Sequence, residues 1–353
     1  MSSSTSNSDR PTRRRVPAAE IKVLLTVALV LLAVEAATRS VLSRLSDDDR
    51  HIAEIESISA HALRQPDPAV IFLGNSVTRC SIDGQTVAAK LARAANADFH
   101  VEIICPDGTS ILSWLYCLKN KILSQRPAEA QADPTVILQF TYNAMADQGS
   151  TKRYRECSLY YLKAKDMPDV QQFFPDFGSK CDLLLSRYVV VFALHERIRD
   201  RVLDMGIPYY REGRQGMNEI LVRRTEAEPK AQTPRSYALL NRLIRMTRDQ
   251  GVQLVVVAAP LRPKAGGETW NLDAELVALL ASRRIPFIDC RKAPMTIDQY
   301  VDPVHMTPEG ARAYSEYLAD RLLAAGVFGQ PIPSPRETAT ERDIGSISPV
   351  QRQ

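Results

Sequence analysis

The sequence predicts an α/β protein: a parallel sheet with helices on both faces, a helical insertion, and one membrane helix at the N-terminus. Two observations predict the sheet. From Ala69 to about Ala325, apolar runs of strand length alternate with patterns of helix length. The chain is also apolar enough, 45% against 24% charged over 353 residues, to bury a core. The membrane helix rests on VLLTVALVLLAV, Val23 to Val34, which follows Arg13-Arg14-Arg15.

That run alone falls short of the about 20 residues a span needs. It reaches that length if the helix takes in Pro17 to Ala37 and Lys22 snorkels to the interface. Residues 1–16 are then a disordered basic tail on the cytoplasmic side. Residues 17–39 are a single-pass anchor in the inner (plasma) membrane, and 40–67 a linker or helix leading to an extracytoplasmic, periplasmic domain over 68–330. A cleaved signal peptide shares the pattern of basic start and short apolar core, with Val34-Glu35-Ala36 as its cleavage site. The retained anchor is the expectation taken forward.

Within 68–330 the elements follow in order. Ala69–Leu73 is the first strand, Gly84 to Ala95 a helix, and Phe99–Ile104 the second strand. Ile111 to Leu123 is helical and Thr135–Gln139 the third strand. Residues 149–233 then interrupt the alternation. Their aromatics (Tyr160, Tyr161, Phe173, Phe174, Tyr209, Tyr210) and helical stretches such as SRYVVVFALHERIRDRV read equally as a lid or subdomain over the sheet's carboxyl edge or as a peripheral helical decoration. A helix through LLNRLIRMTRDQ precedes the fourth strand, Val252–Ala258, and a helix from Asp273 to Arg283 precedes the fifth, Ile285–Asp289. Thr307 as N-cap and Pro308 at the first helical position open a last helix to about Ala325. The Pro/Ser-rich tail, 331–353, is expected to be disordered.

Composition narrows the function. The net charge is +4, and residues 1–15 carry four arginines and one aspartate, so three of those charges lie in the tail. The remainder is near neutral and lacks a basic stripe interleaved with aromatics, which argues against nucleic acid as a partner. The six cysteines include no C-x-x-C and no histidine at metal spacing, so no metal and no cofactor is expected. Cys105 and Cys290, in apolar strand-like runs, read as buried free thiols; Cys157 and Cys181 are one possible pair.

The first three strands each end in a polar signal: Gly74-Asn75-Ser76, then Gly108 in CPDGTS, then Thr141-Tyr142-Asn143. Asp302 and His305 lie in VDPVHMTPEG just before the last helix. In open α/β sheets, sites form at the carboxyl ends of the strands, so these segments converge. Together they make an acyl-transfer set. Ser76 needs a base to become a nucleophile. His305 is that base, and Asp302, three residues earlier, orients its ring. Ser76 N–H at a helix start, Gly108 N–H and the Asn143 amide are candidate oxyanion donors. Taken singly, Ser76 is as well read as a helix N-cap, Gly108 as a plain turn, Asn143 as a turn-former and Asp302 and His305 as loop residues; jointly, five such placements at one edge favour chemistry. The other histidines read as structural, with His195 packed or capping in an apolar helical run. Arg79 reads as a solvated helix-face charge or a contact for an anionic substrate.

These blocks resemble the SGNH, or GDSL-like, hydrolases, which carry Ser, Gly, Asn and Asp-x-x-His in this order; Ser76, Gly108, Asn143, Asp302 and His305 match residue by residue. The first block is Gly-Asn-Ser where the family usually has Gly-Asp-Ser, and the third, FTYNAMAD, keeps only the Asn. The likeness covers roughly Ala69 to Ala325 without the insertion. It implies a three-layer α/β/α flavodoxin-like sheet and a serine esterase or O-acyltransferase. Anchored members that resemble the alginate O-acetylation proteins, or the D-alanyl-transfer protein of teichoic-acid modification, act on acylated cell-surface carbohydrate beside a multi-span membrane acyltransferase. That implies such a partner here, with Glu35 at the outer end of the anchor as its contact. The alternative is a non-catalytic member of the fold that binds or assembles without turnover. A lipase-like enzyme would need an apolar lid, against which the charges of the insertion (Arg153, Arg155, Lys163, Lys165, Asp166) argue.

Overall fold

The computed structural model describes residues 18–129, 133–147, 151–174, 176–210, 213, 216–217, 235–264 and 269–328. The basic tail with its triple arginine, Pro17, most of 211–234 and the tail 331–353 lie outside the described residues.

Five strands form one sheet: β1 (Ala69–Leu73), β2 (His100–Ile104), β3 (Thr135–Phe140), β4 (Gln253–Ala258) and β5 (Phe287–Asp289). Their order is β2-β1-β3-β4-β5 and every pairing is parallel. This is the flavodoxin-like doubly wound order, with the strand order reversing at β1 and β3. The side chains of β1 show how the two faces are filled. Ile71 and Leu73 join one core, while Val70 and Phe72 join the other. A strand buried on both faces reads as an unbroken apolar run, which is why AVIFL carries no alternation.

Helices cover both faces. On one side pack α2 (Asp47–Arg64), α5 (Ile111–Cys117), α10 (Ala238–Asp249) and α11 (Ala274–Ser282), contributing Ile52, Ile55, Trp114, Leu240, Leu243, Leu276 and Leu280. On the other pack α4 (Gly84–Ala95) and α12 (Pro308–Ala324), contributing Val87, Leu91, Tyr314, Leu318 and Leu322. Between them in the chain stand the short α3 (Ser76–Ser81) and, in the insertion, α6 (Thr151–Tyr160), α7 (Met167–Gln171), α8 (Phe177–Tyr188) and α9 (Val190–Gly206). The helix α1 (Ala18–Leu45) precedes them all, and within it Ala19–Ser40 is long and apolar enough to cross a membrane, with none of it buried against the domain.

The structure refines four expectations. Of the linker or helix expected over 40–67, the structure has helix: α1 runs on to Leu45, Ser46 caps α2, and Ile52 and Ile55 sit in the core. The helix expected over 111–123 is there, as α5 followed by a wider π turn, Leu118–Ile122. The described part of the insertion packs into the main core and is no peripheral decoration. Cys157, Tyr161, Leu162, Met167, Val170 and Phe174 belong to the same core as β1 and α5. All six cysteines are free, so Cys157 and Cys181 do not pair. Burial pushes the Cys290 thiol up to about 12 and Cys105 well above its ordinary value, which suits inert packing.

Candidate active site

The site grows from the end of β1. Gly74 ends the strand, Asn75 caps α3 and Ser76 takes its first helical position. Asn75 Oδ1 accepts the Val77 N–H at 3.0 Å, so the cap is Asn75 and the Ser76 hydroxyl stays free of that task. Gly74 is there for space. A Cβ at that position would lie 2.1 Å from Thr78 Oγ1 and 3.1 Å from the Gln139 carbonyl. Only a glycine lets α3 start this close to β1 and β3. The Gly74 carbonyl in turn accepts from Trp114 Nε1 at 2.8 Å and from Thr109 Oγ1 at 2.9 Å.

The same lacing brings the next two loops to the serine. Asn75 Nδ2 donates to the Thr109 carbonyl at 3.5 Å, joining the loop after β1 to the loop after β2. The Ile111 N–H donates to the Ala144 carbonyl at 3.0 Å, joining that loop to the one after β3. Gly108 sits exposed with φ of +67°, the left-handed region where glycine is favoured. Asn143 is exposed one residue after Tyr142, whose φ of 49° is unusual for a bulky side chain. The Tyr142 ring lies 5.9 Å from that of Trp270.

From the far end of the chain comes the loop before α12. Tyr300 and Met306 form an antiparallel bridge, and the Val301 N–H bonds the His305 carbonyl at 2.9 Å, so residues 301–305 close on themselves. Asp302 Oδ1 accepts the N–H groups of Val304 and His305, both at 2.8 Å. Its Oδ2 meets His305 Nδ1 at 2.6 Å. His305 Nε2 lies 3.0 Å from Ser76 Oγ. With Nδ1–H donated to the carboxylate, Nε2 faces the serine as an acceptor. Burial tends to raise the Asp302 carboxyl, but the bonds from the His305 ring and the two backbone amides outweigh it and hold it below its ordinary value.

Ser76, His305 and Asp302 thus stand in a hydrogen-bonded row, while Gly108 and Asn143 lie on loops tied to the serine's own. A row of this kind can activate a hydroxyl, and the Ser76 N–H, at the first helical position, has no partner inside the helix. Among the described residues, no group of three or more His, Cys, Asp or Glu is placed to hold a metal ion.

Two residues singled out in the sequence differ from expectation. Arg79 is no solvated charge: it bonds Asp107 at 2.8 Å and lies 3.5 Å from Asp48. His195 is exposed rather than packed, its Nδ1 2.8 Å from the Phe192 carbonyl. A buried charge cluster behind the Gly108 loop escapes sequence reasoning altogether. Asp48, at the start of α2, accepts the Asp107 N–H at 2.7 Å and pairs with Arg197 of α9 at 2.7 Å. Arg197 also grips Glu156 of α6, at 2.7 Å, and Tyr160 donates to Asp49. Burial and the Asp48 charge raise Asp107 above its ordinary value despite Arg79. Close by, His51 Nε2 accepts the Cys105 N–H at 3.2 Å, and burial and the charge of Arg79 lower its ring, which keeps it neutral. The only local signal for the cluster is the N-cap pattern Ser46-Asp47-Asp48-Asp49.

No family model matches the sequence, and no curated protein matches it. Among solved structures, the chain is similar to a protein of the G-D-S-L family from Desulfitobacterium hafniense DCB-2, with 10% identity, 72% of this chain and 100% of that one covered, and a TM-score of 0.34. It is similar to a lipase/acylhydrolase from Enterococcus faecalis, with 11% identity, 73% and 96% covered, and a TM-score of 0.32. It is similar to an active-site mutant of a family two carbohydrate esterase from Clostridium thermocellum in complex with celluohexase, with 9% identity, 73% and 63% covered, and a TM-score of 0.31. Likenesses this distant assign no activity, so the chemistry has to come from the geometry of the row itself.

Proposed function

We propose that the chain is a membrane-anchored, extracytoplasmic serine esterase or O-acyltransferase of the SGNH type. The observation that carries the reading is the Ser76–His305–Asp302 row, with its contacts of 3.0 and 2.6 Å. Ser76 Oγ attacks an ester carbonyl and passes its proton to His305 Nε2. The tetrahedral oxyanion is held by the N–H of Ser76 and Gly108 and the Asn143 amide. Collapse returns the proton from His305 to the leaving alkoxide and leaves the acyl group on Ser76. A second hydroxyl then gives its proton to His305 and takes the acyl group. Water as that acceptor yields hydrolysis, and a sugar hydroxyl yields transfer. Asp302 keeps its charge throughout and stabilises the imidazolium.

The half-buried serine and the exposed Gly108 and Asn143 make an open site, which suits a short acyl group, acetyl above all, on a bulky alcohol such as a polysaccharide. The anchor reading is supported by Glu35, whose carboxylate accepts the N–H groups of Val190 and Val191 at 2.8 and 3.1 Å and so caps α9. Cleavage after Ala36 would remove that cap. A multi-span acyltransferase beside the anchor belongs to the same reading.

Turnover of 4-nitrophenyl acetate by the full chain, and by Ser76→Ala and His305→Ala, tests it. Hydrolysis by the parent and its loss in both variants is expected, together with an acetyl adduct on Ser76 by mass spectrometry. Equal rates in all three would leave a binding protein in place of an enzyme.

A further inference from the structure

The helix α8 carries an apolar stripe that no described residue of the domain covers. Phe177, Cys181, Leu184 and Tyr188 recur at helical spacing, with Leu185 beside them. Phe177 is 81% exposed, Leu184 42%, Leu185 48% and Tyr188 66%. The opposite face is satisfied: Leu183 is buried in the core and Asp182 pairs with Arg155. Stripes of this size on soluble surfaces mark a contact.

The place of α8 names the occupant. Its C-terminal end meets α1 at the outer end of the apolar stretch. Arg39 Nη2 donates to the Tyr188 carbonyl at 2.8 Å, and Glu35 caps the helix that starts two residues later. Ala19–Ser40 spans roughly 33 Å at about 1.5 Å per residue, a little more than the hydrocarbon core. Glu35 therefore lies within roughly 8 Å of the outer end by the same rise. The α8–α9 corner is thus bonded to the anchor at the depth of the lipid headgroups. At that depth an aromatic residue with a polar tip, such as Tyr188, and its apolar neighbours are favoured.

We infer that the exposed stripe of α8 is a second membrane contact, a monotopic foot that lies in the outer interface of the bilayer beside α1. It rests on the proposed anchor and is independent of the chemistry at Ser76. The foot fixes the domain's tilt. Through Arg197 of α9, it also ties the membrane surface to Asp48 and the Gly108 loop.

The test places the photo-crosslinker p-benzoyl-phenylalanine at Leu185 or Tyr188 of the full chain, in vesicles of phosphatidylethanolamine and phosphatidylglycerol. Leu29 of α1 serves as a lipid-facing reference and Ile297, 62% exposed elsewhere on the domain, as a solvent-facing one. Each labelled chain is first shown to melt as the parent does. Lipid adducts at Leu29, Leu185 and Tyr188, and their loss at Ile297, are expected. Adducts at Leu29 with none at Leu185 and Tyr188 would remove the foot and leave the anchor standing. Adducts at the corner only with protein would give the stripe to a second copy or another chain and overturn the inference. Absence of lipid adducts at Leu29 would remove anchor and foot together, whatever the activity at Ser76.

Discussion

Ser76 and His305 meet across 3.0 Å, yet the structures behind them are built in opposite ways. The serine side is held from afar. Gly74 is wedged against Thr78 and β3, its carbonyl is bonded by Thr109 and Trp114, and the neighbouring Gly108 loop hangs from Asp48 across 59 residues of chain. The histidine side is held mostly by itself, with the Arg262 N–H on the Pro303 carbonyl at 3.2 Å as a tie to the loop after β4. Its bridge, a backbone bond and the three Asp302 contacts fall between residues 300 and 306. A change on the serine side should therefore spread into stability. A change on the histidine side should remove chemistry and leave the fold alone.

The sharpest contrast comes from His305→Ala. Esterase kcat should fall by about 10⁴-fold or more, as for other removed members of such a row. Stability in urea should stay within about 0.5 kcal/mol of the parent, as for surface substitutions. A large loss of stability would break the contrast. Asp48→Ala should do the reverse. It strips Arg197 of a buried partner and the Asp107 N–H of its acceptor, and urea unfolding should show a loss of about 3–5 kcal/mol. Its kcat should drop as well, because the freed loop carries Gly108. Gly74→Ala comes next. The added methyl meets Thr78 Oγ1 at 2.1 Å, and such overpacking costs about 1–3 kcal/mol, read as a lowered urea midpoint at unchanged slope. An Ala variant as stable as the parent would mean that α3 can shift away without cost.

The same contrast explains what was legible in the sequence. The strands were, because strands buried on both faces write themselves as AVIFL, TVILQF and QLVVVA. The last helix was, because Thr307 and Pro308 announce its start. The meeting of Ser76 with His305 could be expected because each stands at a strand end or helix start, where topology alone gathers such segments. Asp48 could not be read. Asp47-Asp48-Asp49 looks like the solvated first turn of a helix, and its burial depends on Arg197, 149 positions away. Arg79 was misread for the same reason, since its partners lie on α2 and on the loop after β2. In the insertion, counting charges hid the stripe of α8. Arg155 and Asp166 turn inward to Asp182 and Lys119, while Phe177 and Tyr188 face out.

The histidine side offers the smallest effect and the finest test. Asp302 is held below its ordinary value because its ionised form takes three bonds, from the His305 ring and two amides, and these outweigh burial. A carboxylate whose folded value lies below its unfolded one adds stability above the unfolded value, about 3.9 for aspartate. That stability is lost as the pH falls through the lowered folded value. Asp302→Asn cannot ionise and lacks it at every pH. The Tm of the variant should therefore lie slightly below the parent's near neutrality, and the two should converge as the pH drops below about 4. The gap should be modest because the side chain is 42% exposed and screened by water. A gap of constant size across the pH series would show that the loop takes nothing from the charge. Orienting His305 would then be the carboxylate's whole contribution.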